Sequence, residues 1–518
     1  METIKKFMKD NQIYLVEFFG LLVITLALSM VFYSKDNYSI HVIGNTTFGT
    51  VSWLVVIITS MYTFFMLKNK NLEAHKIYLI LIIPIGLLYC LANPLGKVSD
   101  EEIHARKAMA IAQGNFWSPV DDEGVAKDMF NAKLNELVTS TVTSYEEAFN
   151  RAFMAETDAE VELGYNIMAL YSPICHAPQA FGMFITRLFK APVTIQCYAG
   201  RLCNFALAVF LIYEAIKIIP KKKSILLFIS LLPMTVTQIA SLSSDALLFG
   251  TSIFFVSYIL YLKESIDREL TKKELIIIAV TSIVLALSKI VYLPICFFVF
   301  LIPKERFPSK KAKIIILTTI IIVSVILNVI WLGYCSRYIE KCRDGASSSE
   351  QIAYCLSHPI SLIMIIIRTV HMYFNSWIEG MFGGGLANYT AQVNPVFIYM
   401  ALLLFTILVF SGNKDDGEVV DVKTKVVSGI ICFVTSMLIF VSIYIQWNNL
   451  GNQYIGGIQG RYFIPLLILY AYLFDNRLIT FNTRIDNRYV GLFLNFYNLS
   501  ALCAIMFTLF ESIVEYYV

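Results

Sequence analysis

Residues 13–32 read IYLVEFFGLLVITLALSMVF, and they are the clearest indication of the fold of this chain. This stretch carries a single charged residue, Glu17, and it follows Lys5, Lys6 and Lys9. An apolar run of this length crosses the hydrocarbon core of a bilayer as an α-helix. The run is too long for the core of a signal peptide and no small-residue cleavage site follows it, so we interpret it as a retained membrane anchor.

Similar apolar runs recur along the whole chain. Of its 518 residues, 57% are hydrophobic and 15% are charged, whereas a soluble domain is about half apolar and a quarter charged. The formal net charge of +3 gives no reason to expect a nucleic-acid partner. We therefore predict an all-α polytopic protein of the cell membrane. About thirteen spans are expected near residues 13–33, 49–67, 77–93, 196–216, 224–240, 246–262, 274–288, 291–303, 314–333, 394–410, 426–446, 461–474 and 491–510.

Lysine and arginine set the expected orientation. They cluster in alternate short loops, at 68–76, 217–223, 263–273 and 304–313. Such clusters mark the cytoplasmic side, so the N-terminus is expected to be cytoplasmic. Residues 360–378 are long enough to span, but a crossing there would move the later basic loops outward. We predict that this stretch is re-entrant or interfacial, which its Arg368 and His371 also favour, and that the C-terminus lies outside.

This scheme divides the chain into three parts. Residues 1–93 form three N-terminal spans, and residues 196–518 form a bundle of about ten helices plus the segment 360–378. Between them, residues 94–195 form one large extracytoplasmic loop of short helices, called the outer loop below.

The sharpest local pattern is SDEEIHAR, residues 99–106, directly after the third span. Ser99 and Glu102 fit a capping box, which predicts a helix start. Acidic residues are common in a first helical turn, so an ordinary helix start explains the pattern. The functional alternative is that Asp100 or Glu101 is a general base held at the membrane surface, with His104 on the face of Asp100 and Arg106 on that of Glu102.

Four further charged residues interrupt or bound apolar runs: Arg201, Asp245, Lys289 and Arg461. Each alone is typical of a side chain that anchors a helix end at the interface. All four, however, fall at the predicted outer ends of their spans, where cations are less common. A carboxylate ringed by cations at one membrane depth favours a phosphorylated lipid headgroup as the ligand, because Arg and Lys bind phosphate well.

A third pattern is YSPICHAPQA, residues 171–180. Its two prolines break regular structure before an apolar helix begins, which is typical of an interfacial elbow. The functional alternative is a wall of a substrate cleft, to which Gln179 would contribute.

Six segments together carry a resemblance. In order they are SDEEIHARKAMAIAQG, YSPICHAPQAFGMFITRLF, RLCNFALAVFLIYEAIKIIP, LLPMTVTQIASLSSDAL, LSKIVYLP and IQGRYFIPLL. They resemble a family of bacterial multi-pass membrane proteins known only as a domain of unknown function. That family is similar to the GT-C glycosyltransferases, which include the protein O-mannosyltransferases and the lipid A aminoarabinose transferase. The chain departs from the simplest pattern by two extra spans before the outer loop, and by Ser99 where a proline often precedes the acid.

The resemblance implies a transfer of sugar from a polyprenyl-phosphate donor to an acceptor hydroxyl on a cell-surface glycan, lipid or protein, with inversion, on the outer face. By position, Asp100 matches the catalytic acid, with Glu101 as its neighbour, and the donor phosphate would be held by Arg201, Lys289 and Arg461. The other residues expected to bind substrate are His104, Arg106, Gln179, Asp245 and Tyr462. A divalent cation such as Mg²⁺ or Mn²⁺ at Asp100, Glu101 or His104 is the one candidate cofactor.

Rival interpretations stay open at this point. A transporter or flippase for lipid-linked sugars would have small outer loops and repeats between its halves. A polysaccharide polymerase or ligase would share the chemistry and differ in its acceptor. A non-catalytic scaffold would keep the fold alone.

Overall fold

The structure is a computed structural model. It describes residues 11–34, 47–68, 72–93, 95–118, 127–139, 160–164, 169–339, 347–386, 391–410, 420–475 and 485–514.

Helices make up most of the described regions. Those that begin before residue 200 are Gln12–Ser34, Thr47–Lys68, Ala74–Ala92, Glu101–Ala112, Ala132–Thr139, Ala177–Leu188 and Val193–Ile218. The later ones are Lys223–Ser230, Pro233–Ile239, Asp245–Glu264, Lys272–Ser288, Lys310–Ile339, Ser348–Ser357, Pro359–Phe382, Pro395–Phe410, Val422–Trp447, Leu467–Phe474 and Asn487–Val514. Segments of 3₁₀ helix are Pro173–His176, Ile290–Leu301, Lys304–Arg306 and Gly460–Leu466.

The chain is a polytopic helical membrane protein by the length and composition of these helices. Among the described residues, seven helices are long and apolar enough to cross a bilayer, or eight if one bent pair counts as a span. Four shorter apolar helices lie at other predicted spans: Trp53–Lys68, Ile290–Leu301, Pro395–Phe410 and Gly460–Phe474. The polytopic fold is thus confirmed, and the number thirteen stays a prediction.

The predicted span 224–240 is not one continuous helix. It divides into Lys223–Ser230 and Pro233–Ile239, because Pro233 has no N–H to donate and holds Leu232 in an extended conformation. The freed carbonyl of Leu231 accepts a hydrogen bond from Asn498 Nδ2 at 2.9 Å. A helix from the far end of the sequence therefore closes the break.

The stretch 360–378 lies within the helix Pro359–Phe382. This helix meets Ser348–Ser357 at an angle of 105° across His358, a geometry that suits a broken span or a re-entrant segment. The re-entrant or interfacial interpretation stays a prediction.

The outer loop corrects the expectation of an entirely helical protein. Its described part holds short helices, as predicted, but also a two-stranded antiparallel sheet in which Lys127–Asn131 pairs with Glu160–Gly164. Backbone N–H and C=O groups in a short extended segment need partners, and the pairing of the two strands supplies them.

A separate apolar cluster fixes the outer loop to the bundle. Small residues of the helix Glu101–Ala112, among them Ala105 and Ala108, are buried in it with Met183, Val193 and Leu242. Because alanine lets helix backbones approach closely, this helix packs against Ala177–Leu188, and its start is held against the loop that contains Leu242. This packing places residues 100 and 101 at the site described next.

Candidate functional site

Asp100 has an unusual backbone conformation. It precedes the helix Glu101–Ala112 with φ 63° and ψ 4°, in the left-handed region, and its side chain makes no capping hydrogen bond. The predicted capping box of Ser99 and Glu102 is therefore wrong. Glu102 forms an ion pair with Arg106 one turn along the helix. A left-handed conformation costs a non-glycine residue on the order of 1 kcal/mol and persists only where neighbouring contacts enforce it.

The neighbouring contacts come from Glu101. Its carboxylate accepts two hydrogen bonds from Arg201, from Nε at 2.8 Å and Nη2 at 2.7 Å, and both side chains are fully buried. Arg201 also donates to the carbonyls of Cys90 and Asn93, where the helix Ala74–Ala92 ends. Glu101 further accepts from the backbone N–H groups of Gly96, at 3.1 Å, and Leu242, at 2.9 Å.

These contacts correct two predicted roles. Glu101 has both oxygens bound and no exposed surface, so it cannot take a proton from a substrate hydroxyl. Arg201 has the same burial and is directed at Glu101 and at helix-end carbonyls, so it does not reach a donor phosphate. No pattern in the sequence indicates that these two charges pair across a hundred residues.

The loop 241–245 is held by three buried side chains. Glu101 binds its Leu242 N–H. Gln179 Nε2 donates to the carbonyls of Leu242, at 3.1 Å, and Ser243, at 3.2 Å. Asn204 Nδ2 donates to the carbonyls of Ser241 and Ser243. Gln179, predicted to bind substrate, is fully buried and instead positions this loop.

The loop presents Asp245 to two cations. Asp245 Oδ1 lies 2.5 Å from Lys289 Nζ, and its Oδ2 lies 3.1 Å from Arg461 Nε. Arg461 Nη2 also binds Asp100 Oδ2. We call Asp100, Asp245, Lys289 and Arg461 the ion cluster. Four residues distant in sequence and each predicted for the site thus meet in one place.

Exposure differs sharply within the ion cluster. The side chains of Asp245 and Arg461 are 2% exposed, that of Lys289 is 17% exposed and that of Asp100 is 41% exposed. Asp100 is therefore the carboxylate of this cluster that a substrate can reach. The formal charges of the four residues sum to zero.

Aromatic rings surround Lys289. Its ammonium lies 5.4 Å from the ring centre of Tyr462 and 5.8 Å from that of Tyr171, both within cation–π range. Tyr292 donates its hydroxyl to the carbonyl of Tyr462 at 2.7 Å. Tyr462 was predicted for the site, whereas Tyr171 and Tyr292 were missed as contacts, although both lie in the quoted segments.

The segment YSPIC, residues 171–175, contacts the backbone directly before Lys289. Ser172 Oγ donates to the carbonyl of Leu287 at 2.9 Å, and Cys175 Sγ to that of Ser288 at 3.1 Å. These carbonyls end the helix Lys272–Ser288 and would otherwise lack partners. The segment YSPIC, which we call the proline elbow, therefore caps the C-terminal end of the helix Lys272–Ser288, directly before Lys289.

His104 contacts Ser244, the residue before Asp245, and only 3% of its surface is exposed. Its Nδ1 lies 2.9 Å from Nε2 of the buried His176, and its Nε2 lies 3.3 Å from Ser244 Oγ. Burial lowers the pKa of His104 to about 4, although the carboxylate of Asp100 opposes the shift. Burial likewise holds the pKa of His176 well below its usual range. His104 and Arg106, predicted to bind substrate, are thus packed side chains, with Arg106 paired to Glu102.

A small cleft is lined in part by Arg461. Its lining includes Ser99, Trp377, Gly380, Gly384, Gln459 and Arg461. Trp377 donates its indole N–H to the carbonyl of Ile458 at 3.1 Å and so ties the two walls together. We call this the glycine cleft. It was not predicted, although the triple glycine Gly383–Gly385 marks one wall in the sequence.

A family profile described as "Predicted membrane protein (DUF2142)" matches residues 83–470. This chain belongs to that family. The DUF2142 match contains the ion cluster, Glu101, Arg201 and the glycine cleft, and it leaves out the first two helices and the last one. No curated protein and no solved structure matches the chain.

The predicted metal ligands of this DUF2142 chain are Asp100, Glu101 and His104, all of which the structure describes. Among the described residues, no group of three or more His, Cys, Asp or Glu side chains could hold a metal ion. Of the three predicted metal ligands, Glu101 forms an ion pair with Arg201, and His104 contacts His176 and Ser244 through its two ring nitrogens. The divalent cation stays a prediction.

Proposed function

We propose that this protein is a membrane glycosyltransferase of the GT-C type, which moves a sugar from a polyprenyl phosphate to an acceptor hydroxyl. The observation that carries the proposal is the half-exposed carboxylate of Asp100. It is fixed by the buried Glu101–Arg201 pair, it touches Arg461, and Lys289 lies on the far side of Asp245. A reachable carboxylate beside two cations has the groups that this reaction requires.

The cations would hold the donor phosphate. Arg461 offers a planar fork of donors and Lys289 a point charge, and both remain charged at neutral pH. Because the ion cluster is already neutral, an incoming phosphate must take over a contact that a carboxylate now makes. Asp100 is the one to yield, since Asp245 is 2% exposed whereas Asp100 is 41% exposed.

This exchange would prepare the base. Once the phosphate has replaced it on Arg461, the Asp100 carboxylate is free to accept the proton of the acceptor hydroxyl. The hydroxyl oxygen forms a bond to the anomeric carbon from the side opposite the phosphate, and the bond from that carbon to the phosphate oxygen breaks. The electron pair leaves with the phosphate, where Lys289 and Arg461 stabilise it, and the sugar is inverted.

A transporter for lipid-linked sugars is the main rival, and one observation bears on it. Broken helices of transporters commonly line a substrate cavity. The break between Ser230 and Pro233 is instead closed by Asn498, whose Oδ1 accepts from Tyr89 at 3.1 Å. This buried polar contact is typical of packing between helices.

The test uses the purified full chain in lipid nanodiscs with a radiolabelled polyprenyl-phosphate hexose. The acceptor is delipidated cell-envelope glycan from a deletion strain. Label should enter the glycan with the wild-type protein and not with Asp100→Asn, whereas the matched variant Glu102→Gln should keep activity. Movement of the lipid-linked sugar across vesicles without any transfer would support the transporter instead.

A further inference from the structure

The helix Ala177–Leu188, in the last part of the outer loop, has an exposed face that is entirely apolar. Its large exposed side chains recur at helical spacing, and they are Phe181, Phe184, Ile185 and Leu188. Each of them is between 38% and 63% exposed. The opposite face, which includes Gly182 and Met183, is buried. Single apolar side chains are normal on a protein surface, but a continuous apolar face marks a site of contact with another protein or with a membrane.

The next helix along the chain fixes the level of this face in the molecule. Ala177–Leu188 packs against Val193–Ile218, which is long and apolar enough to cross a bilayer. A Cβ on Gly182 would lie 2.4 Å from the carbonyl oxygen of Ala199 and 2.9 Å from Cys203 Sγ. Only glycine allows so close an approach. Because a short turn joins the two helices, Ala177–Leu188 runs in the opposite direction alongside the first turns of the candidate span.

The candidate span has exposed apolar residues at the same level. Ile195 is 43% exposed and Leu202 is 44% exposed, and they lie before and after the contact at Ala199. Exposed apolar side chains of a membrane-spanning helix contact lipid tails, which are as apolar as leucine. The exposed face of Ala177–Leu188 therefore lies beside a surface of Val193–Ile218 that the bilayer covers.

Polar groups of the helix Ala177–Leu188 are placed as a lipid environment requires. Thr186 Oγ1 donates to the carbonyl of Gly182, one turn earlier, at 2.9 Å, and Gln179 is fully buried. Its one charged residue, Arg187, lies in the last turn, and the exposed Lys190 follows the helix end. Both cations are thus at the end that adjoins the start of the candidate span, where long basic side chains can reach lipid headgroups.

The chain that leads into this helix is buried in protein. Ser172, Cys175 and His176 are all buried, and the first two donate to the carbonyls that end the helix Lys272–Ser288. Non-helical backbone is tolerated at membrane depth only where protein buries it or where it lines a cavity. The proline elbow meets that condition.

We propose that Ala177–Leu188 is a re-entrant membrane helix, and that its exposed face lies among the acyl chains of the leaflet nearest the ion cluster. The inference does not rest on the proposed glycosyltransferase function. Residues 177–188 thus belong to the membrane rather than to the aqueous part of the outer loop. Within the helix, Phe181 lies deeper than Leu188, because Leu188 adjoins the start of the span whereas Phe181 is close to the contact between Gly182 and Cys203.

The experiment attaches an environment-sensitive fluorophore to single introduced cysteines in the full chain in nanodiscs. The test variants are Phe181→Cys and Leu188→Cys. Phe210→Cys is the matched membrane control, because Phe210 is 58% exposed further along Val193–Ile218. Glu136→Cys is the matched aqueous control, because Glu136 is exposed on another helix of the outer loop.

Three quenchers are compared: lipids brominated at mid-chain, lipids brominated near the headgroup, and iodide in the water. Labelling of the wild type gives the background from the native cysteines, of which most that the structure describes are buried. Size-exclusion chromatography and thermal unfolding check the fold of each variant. Phe184→Cys, on the same face, is measured in parallel so that the result does not depend on one substitution.

Mid-chain bromines should quench the label of Phe181→Cys to within about twofold of that of Phe210→Cys, because both labels lie in the hydrocarbon core. Bromines near the headgroup should be the stronger lipid quencher for Leu188→Cys. Neither label should respond to iodide as the label of Glu136→Cys does. Iodide quenching at residues 181 and 184 without bromine quenching would place the helix in water and overturn the proposal. Protection of both labels from all three quenchers would mean that a second copy or another protein covers the face, which would overturn it equally.

Discussion

Asp100 and Glu101 are adjacent in sequence, yet their carboxylates have opposite environments. Glu101 is fully buried against Arg201, while Asp100 is 41% exposed on Arg461. The left-handed backbone of Asp100 turns one side chain out as the other turns in. A pair of acids is thereby divided into an anchor and a reachable base, and the predictions below separate the two.

Asp100→Asn should have opposite effects on catalysis and binding. Transfer should fall by roughly 10²–10⁴-fold, because the amide cannot accept the proton. Binding of polyprenyl phosphate should become about three- to tenfold tighter, because the amide competes less well for Arg461. Transfer assays and lipid-phosphate titrations of the same preparation measure both. Weaker phosphate binding in this variant would contradict the exchange of carboxylate for phosphate.

Arg461→Ala should weaken polyprenyl-phosphate binding by about ten- to hundredfold, the effect of losing one charge-assisted hydrogen bond. Arg461→Lys should be intermediate, because an ammonium lacks the guanidinium fork. Both proteins should remain folded, since Asp245 keeps its contact with Lys289. Unchanged affinity in Arg461→Ala and in Lys289→Ala would remove the ion cluster from the donor site.

Glu101→Gln should act on stability rather than on chemistry. It leaves the guanidinium of Arg201 buried without a counter-charge, and breaking such a pair costs about 3–5 kcal/mol. Thermal unfolding in detergent should show a large drop for Glu101→Gln and little change for Asp100→Asn. The double variant Glu101→Leu with Arg201→Met should recover part of the loss. A Glu101→Gln protein as stable as the wild type, but inactive, would return Glu101 to the list of bases.

Stability should depend on pH through His104. Its pKa is lowered to about 4 in the folded protein by burial, against roughly 6.5 in an unfolded chain. Between these values the unfolded state binds more protons, so the contribution is complete above about pH 6.5 and is lost as the pH falls towards 4. The difference amounts to about 3 kcal/mol. His104→Gln should flatten the dependence of Tm on pH, and a change at the exposed His371 should not.

Single cysteines should report the orientation. Lys133 lies in the outer loop and is partly exposed. Lys311 is exposed in the first turn of the helix Lys310–Ile339, within a basic cluster predicted to be cytoplasmic. In intact cells a membrane-impermeant maleimide should label Lys133→Cys and spare Lys311→Cys. The reverse pattern would invert the topology and place the ion cluster on the cytoplasmic side.

The sequence alone determined the class of the protein and the region of the site. Apolar runs can satisfy their backbone groups in lipid only as helices, so the spans follow from local composition. Asp100, Asp245, Lys289 and Arg461 could be singled out because a charge at the end of an apolar run is costly and therefore conspicuous.

The tertiary structure was needed to show which carboxylate is exposed and which charged side chains are used for packing. Glu101 and Arg201 satisfy the same sequence rule as Asp100 and Arg461, yet they bury each other completely. Gln179 and the proline elbow likewise bind backbone carbonyls, and His104 contacts the ring of His176. The physical reason is that burial and pairing are set by contacts between residues far apart in the chain. A sequence pattern indicates that a charge at the end of an apolar run is unfavourable. The fold shows which partner compensates for it.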